Sequence, residues 1–196
     1  MTKDSAHKSD IFLDHFLSFA FKRSINPHIL TLLTLGFGMI TGLVLAAGYI
    51  RLAGILILLS GLCDLLDGYI ARKFKRETKF GAFLDSVVDR YSELFIFGGL
   101  LLYFFFRIDT LNVILVCAAM TGAFITSYSR ARAEALGVTC KLGIIKRPER
   151  IILLSLGAIL NKIPVFLWII AIFSNITVLQ RVHWVYSKFK VKENKE

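Results

Sequence analysis

The residues most suited to chemistry are four aspartates that fall within two largely apolar stretches of the chain. Asp64 and Asp67 are three residues apart, so both project from one face of a helix. Asp85 and Asp89 are four residues apart and also share a helical face. One charge inside a membrane helix costs about 2.5–3.5 kcal/mol on insertion scales, and neighbouring carboxylates also repel one another. The stretch therefore predicts a site in which positive charge compensates the aspartates.

Two sources of positive charge are compatible with this pattern. Arg72 and Arg90 lie close by in the sequence and would form a purely structural ion-pair network, but two cations do not neutralise four anions. Divalent metal ions are the alternative, because carboxylate oxygens suit Mg²⁺, Mn²⁺ or Ca²⁺ better than they suit zinc. Four carboxylates suit two such ions, and two-metal sites commonly catalyse phosphoryl transfer. The aspartates therefore point to phosphoryl-transfer chemistry, with structural pairing as the alternative.

The residues between the two aspartate pairs suit a phosphate ligand. Gly68 follows Asp67 directly and lets a ligand approach the backbone. Arg72 offers a fork of donors for a phosphate, and Thr78 supplies a hydroxyl. Gly81 lies near the start of the next helix, where backbone amides and the helix dipole favour anions. Together these residues predict a pocket for a metal-bound diphosphate.

The elements that must position these residues are helices long enough to cross a membrane. Of the 196 residues 56% are hydrophobic, and the mean hydropathy is +0.65, which favours an all-α integral membrane protein over a water-soluble helical bundle. We predict one domain over residues 1–196, in which an interfacial amphipathic helix within a juxtamembrane segment (1–24) precedes six transmembrane helices and a cytoplasmic tail (187–196). The six segments are about 27–49, 52–72, 81–106, 110–136, 147–162 and 164–186.

The distribution of basic residues predicts the orientation in the membrane. An even number of segments places both termini on one side, together with the connections that follow the second and fourth segments. Of the 24 lysines and arginines, only Arg51, Arg107 and Lys162 fall on the opposite side, and Arg90 falls within a segment. Because cytoplasmic loops are rich in Lys and Arg, both termini and the aspartate site should be cytoplasmic. The same rule explains the formal net charge of +10 without a nucleic-acid partner.

Eight positions between residues 64 and 89 resemble the signature of the CDP-alcohol phosphotransferase family. The sequence reads DLLDGYIARKFKRETKFGAFLDSVVD, with the pattern D-x2-D-G-x2-A-R-x8-G-x3-D-x3-D at fixed spacing. The run INPHILTLLTL is also similar to the family's first-helix entry, and six spans after an interfacial helix is the family's architecture. The resemblance covers essentially the whole chain.

This resemblance implies an enzyme of phospholipid biosynthesis in the cell (plasma) membrane. It would transfer a phosphatidyl group from a CDP-linked lipid, usually CDP-diacylglycerol, to a hydroxyl of a polar acceptor and release CMP. The resemblance also implies a homodimer, two Mg²⁺ or Mn²⁺ ions per active site, and Asp89 as general base as well as metal ligand. The implied metal ligands are Asp64, Asp67, Asp85 and Asp89. The residues implied to hold the CDP group are Gly68, Arg72, Thr78 and Gly81.

A later group of basic residues bears on the choice of acceptor. Arg147 and Arg150 are three residues apart, so one helical face can aim both at one phosphate. Such a cluster favours an anionic acceptor, although cytoplasmic topology alone explains some of its members. RARAEALG and GIIKRPER resemble the inositol-phosphate-using branch of the family, the phosphatidylinositol phosphate synthases; glycerol 3-phosphate and a soluble CDP-inositol donor are the alternatives. The residues expected to bind the acceptor's phosphate are Arg130, Arg132, Lys141, Arg147 and Arg150.

A divalent-cation transporter or a membrane scaffold is the alternative outside the enzyme class. A transporter requires a polar path through the bilayer, but the outer half of the third segment, ELFIFGGLLLYFFF, has no acidic residue beyond Glu93. A scaffold has no use for the phosphate-binding pattern between Arg72 and Gly81. Replacing Asp89 with asparagine separates these classes, because only an enzyme should lose turnover.

Overall fold

The computed structural model describes residues 27–73, 78–140 and 142–193, with side-chain positions for 31–65, 78–140 and 142–190. All regular secondary structure in these residues is α-helical, as the sequence predicts. The juxtamembrane segment predicted at 1–24 lies outside the described residues. The six helices are α1 (Pro27–Ala46), α2 (Ile50–Lys73), α3 (Lys79–Phe105), α4 (Thr110–Ala135), α5 (Arg147–Ile159) and α6 (Ile163–Glu193).

The helix boundaries agree with the predicted segments except at the end of α6. The last segment was expected to end at residue 186, but the helix continues to Glu193, so much of the predicted tail is helical. Two contacts stabilise this extension: the Lys188 ammonium lies 4.5 Å from the centroid of the Trp184 ring, and Ser187 Oγ donates to the carbonyl oxygen of Trp184. The 31 residues of α6 span about 46 Å at ~1.5 Å per residue, which exceeds the ~30 Å hydrocarbon core of a bilayer.

Two of the helices are long and apolar enough to cross a membrane. Within the described residues they are α4, whose apolar 18-residue stretch has a mean hydropathy of 1.7, and α6 over Ile163–Lys190, where the corresponding stretch has a mean hydropathy of 1.9. Large apolar side chains also cover the outside of the bundle; Leu43 is 65% exposed and Leu179 is 68% exposed. An extensive apolar surface of this kind is typical of a protein that contacts lipid.

The packing order of the helices explains how distant parts of the sequence meet. α1 packs against α2 and α3, α4 packs against α3 and α6, and α5 packs against α2 and α6. Leu45, Phe97, Val116, Leu154 and Leu167 are buried between these helices. Because α5 lies against α2, the start of α5 can reach side chains near the end of α2.

The close contact between α1 and α3 depends on glycine. A Cβ atom at Gly99 would lie 2.3 Å from the carbonyl oxygen of Gly42, and one at Gly42 would lie 2.4 Å from the carbonyl oxygen of Phe95. Neither distance leaves room for a side-chain carbon, so the two backbones are in direct contact. α1 therefore supports the helix that carries Asp85 and Asp89.

Replacing Gly99 with alanine should destabilise the protein by about 1–3 kcal/mol, the usual cost of overpacking. The expected result is a lower midpoint of thermal unfolding in detergent micelles. Gly98→Ala is the matched control, because nothing lies within 4 Å of a Cβ atom at Gly98. Equal midpoints for the two variants would contradict the close contact.

Candidate active site

Three of the four predicted aspartates, one on α2 and two on α3, lie close together in space. Asp64, Asp85 and Asp89 each offer one carboxylate oxygen, and these three oxygens lie within 4.8 Å of one another. Asp64 and Asp85 are partly exposed, whereas Asp89 is only 8% exposed. The side chain of Asp67, the fourth predicted ligand, lies outside the described positions. We call the three described carboxylates the aspartate cluster.

The aspartate cluster suits a hard divalent cation. Its donors are all carboxylate oxygens, the ligand type that Mg²⁺ and Mn²⁺ prefer, and it contains no sulfur or imidazole ligand of the kind typical of zinc. Oxygens within 4.8 Å of one another need to move by only a few tenths of an ångström to meet on one Mg²⁺ ion, because opposite ligands at the ~2.0–2.1 Å ligand distance are about 4.2 Å apart. The cluster therefore fits the predicted cofactor.

Arg147 lies directly against the cluster. Its Nη1 atom is 2.6 Å from Asp64 Oδ2, and its Nη2 atom is 2.6 Å from Asp89 Oδ1. One guanidinium thus bridges a carboxylate of α2 and a carboxylate of α3. Arg147 is the first residue of α5, and the turn before it is fixed by a hydrogen bond from the Lys146 backbone N–H to Glu149 Oε2 (3.0 Å).

A buried ion pair lies deeper in the bundle. Arg150 Nε and Nη2 donate to the two carboxylate oxygens of Glu93 at 2.8 and 3.1 Å, and both side chains are 0% exposed. Arg90 lies between this pair and the cluster: its Nη2 atom is 3.7 Å from Asp89 and its Nη1 atom is 4.0 Å from Glu93. Arg90 also donates a hydrogen bond to Ser127 Oγ on α4.

These contacts form one network of alternating charge that runs from the cluster into the bundle. Among the described side chains, Asp85 makes no ion pair within 4.0 Å. The three arginines of the network match only three of the carboxylates, so Asp85 leaves the site with excess negative charge. The network therefore does not replace a metal ion. Its members, in order, are Asp64, Arg147, Asp89, Arg90, Glu93 and Arg150.

Two of the four residues expected to hold the CDP group form the start of α3. The Thr78 hydroxyl oxygen accepts a hydrogen bond from the Gly81 backbone N–H at 2.9 Å and so caps the helix. A Cβ atom at Gly81 would lie 2.8 Å from that oxygen, which explains why glycine suits this position. The side chain of Arg72 and the surroundings of Gly68 lie outside the described positions.

The five residues expected to bind the acceptor's phosphate are not gathered in one place. Arg147 lies against the aspartate cluster. Arg130 instead pairs with Glu134 at 2.8 Å, and both of these side chains are exposed near the end of α4. Arg132 is exposed in the last turn of α4, and Lys141 lies outside the described residues.

The fully buried side chain of Arg150 lacks the exposed surface that contact with a soluble phosphate requires. The helical spacing placed Arg147 and Arg150 on one face, but Glu93 of α3 holds Arg150.

Two residues of α6 that the sequence analysis did not single out position the connection into α5. Thr177 Oγ1 accepts hydrogen bonds from the backbone N–H groups of Ile144 (3.1 Å) and Ile145 (3.3 Å). Arg181 donates through Nε to the Leu142 carbonyl oxygen (2.9 Å) and through Nη1 to the carbonyl oxygen of Thr126. The signal available in the sequence was an arginine within the last apolar helix, but cytoplasmic topology already accounted for its charge. In the structure the Arg181 side chain is only 3% exposed.

Comparison with known proteins assigns the chain to a family. A sequence model of the CDP-alcohol phosphatidyltransferase family matches residues 24–189, so the chain belongs to this family of membrane-embedded enzymes and is a transferase. The archaetidylinositol phosphate synthase of Pyrococcus horikoshii is 38% identical over 163 residues, which cover 81% of this chain and 82% of that protein. The phosphatidylinositol phosphate synthase of Mycolicibacterium smegmatis is 34% identical over 179 residues, which cover 85% and 80% of the two chains.

Solved structures show the same fold. The crystal structure of Mycobacterium tuberculosis phosphatidylinositol phosphate synthase with CDP-DAG bound superposes with a TM-score of 0.77 at 32% sequence identity, covering 83% of this chain and 87% of that chain. The structure of that enzyme in complex with manganese and citrate gives a TM-score of 0.78. The family resemblance drawn from the aspartate signature is thereby confirmed.

Proposed function

We propose that this protein transfers the phosphatidyl group of CDP-diacylglycerol to a hydroxyl of inositol phosphate and releases CMP, forming phosphatidylinositol phosphate. The observation that carries the proposal is the convergence of Asp64, Asp85 and Asp89 to within 4.8 Å in a chain whose relatives are inositol phosphate-type synthases. The phosphatidylinositol phosphate synthase of Mycobacterium tuberculosis has been crystallised with CDP-DAG and, in another crystal, with manganese and citrate.

The aspartates hold two Mg²⁺ or Mn²⁺ ions in this proposal, with Asp67 completing the ligand set. When bound, these ions neutralise the diphosphate and stabilise CMP as the leaving group. Asp89 accepts the proton of the acceptor hydroxyl as the oxygen of that hydroxyl forms a bond to the lipid phosphorus and the bond to CMP breaks. Asp89 suits this role because it is the most buried carboxylate of the cluster.

The CDP group lies, in this proposal, between the end of α2 and the start of α3. Gly68 and Arg72 contribute from α2, and Thr78 and Gly81 contribute from α3. The cap at Thr78 sets the first turn of α3 in place, so that its backbone amides and dipole can face an anionic group.

The acceptor's phosphate binds near the start of α5. Among the described side chains, Arg147 is the cation nearest to the aspartates, and 19% of its side chain remains accessible. Arg130, Arg132 and Lys141 extend the basic surface toward the cytoplasm. We assign Arg150 a positioning role in place of phosphate binding, because its ion pair with Glu93 fixes the first turn of α5 against α3.

The membrane arrangement is part of the same proposal. All six helices are membrane spans, both termini and the active site face the cytoplasm, and an interfacial helix lies within residues 1–24. The host membrane is the plasma membrane, and the enzyme is a homodimer. The asymmetric distribution of basic residues supports the orientation, and the apolar outer surface of the bundle supports the location in a membrane.

Purified protein should release CMP from CDP-diacylglycerol when inositol 1-phosphate and Mg²⁺ or Mn²⁺ are present, and chelation should abolish the release. Inositol, serine and glycerol 3-phosphate are tested in parallel. Release with glycerol 3-phosphate alone would keep the aspartate roles but refute the acceptor, and activity only with CDP-inositol would refute the lipid donor. Full activity after stringent metal removal would refute the metal site.

A further inference from the structure

Arg147 contacts two of the carboxylates that are proposed to hold the metal ions. Both of its Nη groups lie 2.6 Å from cluster oxygens, one on Asp64 and one on Asp89. The contact with Asp64 is a charge-assisted hydrogen bond, whereas the contact with Asp89 Oδ1 is an ion pair without hydrogen-bond geometry. Asp64 and Asp89 are also two of the three residues whose oxygens converge on a cation position.

A guanidinium in this place opposes a metal ion in two ways. It occupies space between Asp64 and Asp89, whose ligating oxygens are at most 4.8 Å apart. Its charge also repels a second cation strongly over a few ångströms in a site that is largely removed from water. A metal ion held by both carboxylates therefore requires Arg147 to leave at least one of them.

The side chain of Arg147 can move without disturbing the helix that carries it. Its Nε atom is buried and has no hydrogen-bond partner among the described residues, so the two carboxylates are its main attachment. One turn later, Arg150 is fully buried and doubly bonded to Glu93, which keeps the backbone of α5 in place. Arg150 is therefore fixed in the bundle, whereas Arg147 can be released from the two carboxylates.

We propose that Arg147 is an internal competitor of the metal ions: it bridges Asp64 and Asp89 in the metal-free enzyme, and metal binding releases it toward the acceptor's phosphate. The inference rests on the proposed function, because it takes both the metal ions and the phosphate from there. Its consequence is that metal and acceptor phosphate bind with positive cooperativity. Linkage requires this coupling to be reciprocal: each ligand raises the affinity for the other by the same factor.

The test is a titration of the full-length protein in detergent with Mn²⁺, followed by electron paramagnetic resonance of the free ion. Arg147→Gln removes the competitor and should bind Mn²⁺ about tenfold more tightly than wild type, within the ~5–150-fold range of typical couplings between sites. Arg147→Lys keeps the charge but cannot bridge two carboxylates as a planar fork does, so its affinity should lie between the two. Lys146→Gln removes one charge from the exposed neighbouring side chain and should leave the affinity close to that of wild type.

A second arm repeats the titration with saturating inositol 1-phosphate. The phosphate should raise the Mn²⁺ affinity of wild type but not that of Arg147→Gln. An equal rise in both proteins would overturn the inference, because the phosphate would then act on the metal without Arg147. Equal Mn²⁺ affinity of wild type, Arg147→Gln and Arg147→Lys would also overturn it while leaving the metal site intact. If no protein binds Mn²⁺ saturably, the proposed function and the inference fail together.

Discussion

Replacing Asp89 with asparagine should lower the rate of CMP release by about 10³-fold or more, since loss of a general base alone typically costs 10²–10⁴-fold. The amide cannot accept the proton of the acceptor hydroxyl, and it removes one negative charge from the proposed metal ligands. The shape of the side chain is unchanged, and α3 remains supported by its glycine contact with α1. The protein should therefore still fold, and it can be compared with wild type at equal concentration.

The measurement is CMP release at saturating CDP-diacylglycerol, Mn²⁺ and inositol 1-phosphate, together with CDP binding by the same preparation. CDP binding should persist, since the groups proposed to hold the nucleotide lie elsewhere. Asp109→Asn is the matched control: Asp109 caps α4 by accepting from the Asn112 backbone N–H at 3.2 Å, and asparagine caps helices about as well as aspartate. Turnover of Asp89→Asn within about tenfold of wild type would exclude Asp89 as the base.

Breaking the Glu93–Arg150 pair should have the largest effect on stability. Glu93→Gln or Arg150→Met leaves one charged partner buried, and removing one member of a buried pair typically costs about 3–5 kcal/mol. Both side chains are 0% exposed, so water cannot take the place of the missing partner. The midpoint of thermal unfolding in detergent should fall accordingly for each single variant.

The double variant Glu93→Gln with Arg150→Met distinguishes an uncompensated charge from a loss of packing. It removes both charges and should be more stable than either single variant, because replacing a whole buried pair is often nearly neutral. Arg130→Met serves as control, since its pair with Glu134 is about half exposed and surface pairs contribute ~0–1 kcal/mol. A cost below about 1 kcal/mol for Glu93→Gln would contradict a structural role for the pair.

The aspartate cluster was largely predictable from the sequence because local spacing determines it. The separation of Asp85 from Asp89 places both on one helical face, and Asp64 lies on the preceding helix. The apolar segments predicted the six helices for the same reason: the length of an apolar run is a local property. The continuation of α6 past residue 186 was not predicted, because Lys188 and its neighbours look like a solvated tail, whereas the ring of Trp184 supports the helix there.

The partners of the aspartates could not be predicted in this way. Arg147 is 83 residues from Asp64 along the chain, and Arg150 is 57 residues from Glu93. No spacing rule connects residues so far apart, and the preference of cytoplasmic loops for basic residues explained both arginines without any partner. The spacing of Arg147 and Arg150 correctly placed them on one helix, but the tertiary packing of α5 in the bundle determines which carboxylate each one meets.

The separation between Glu93 and Arg150 has a consequence for the biogenesis of the protein. A ribosome that adds about 5–20 residues per second delivers Arg150 roughly 3–11 seconds after Glu93. Throughout that interval α3 carries a glutamate whose buried partner does not yet exist, and each such charge opposes entry into lipid by about 2.5–3.5 kcal/mol. If α3 is a membrane span, as we propose, it should wait in the insertion machinery until α5 emerges, and the two helices should enter the bilayer as a pair.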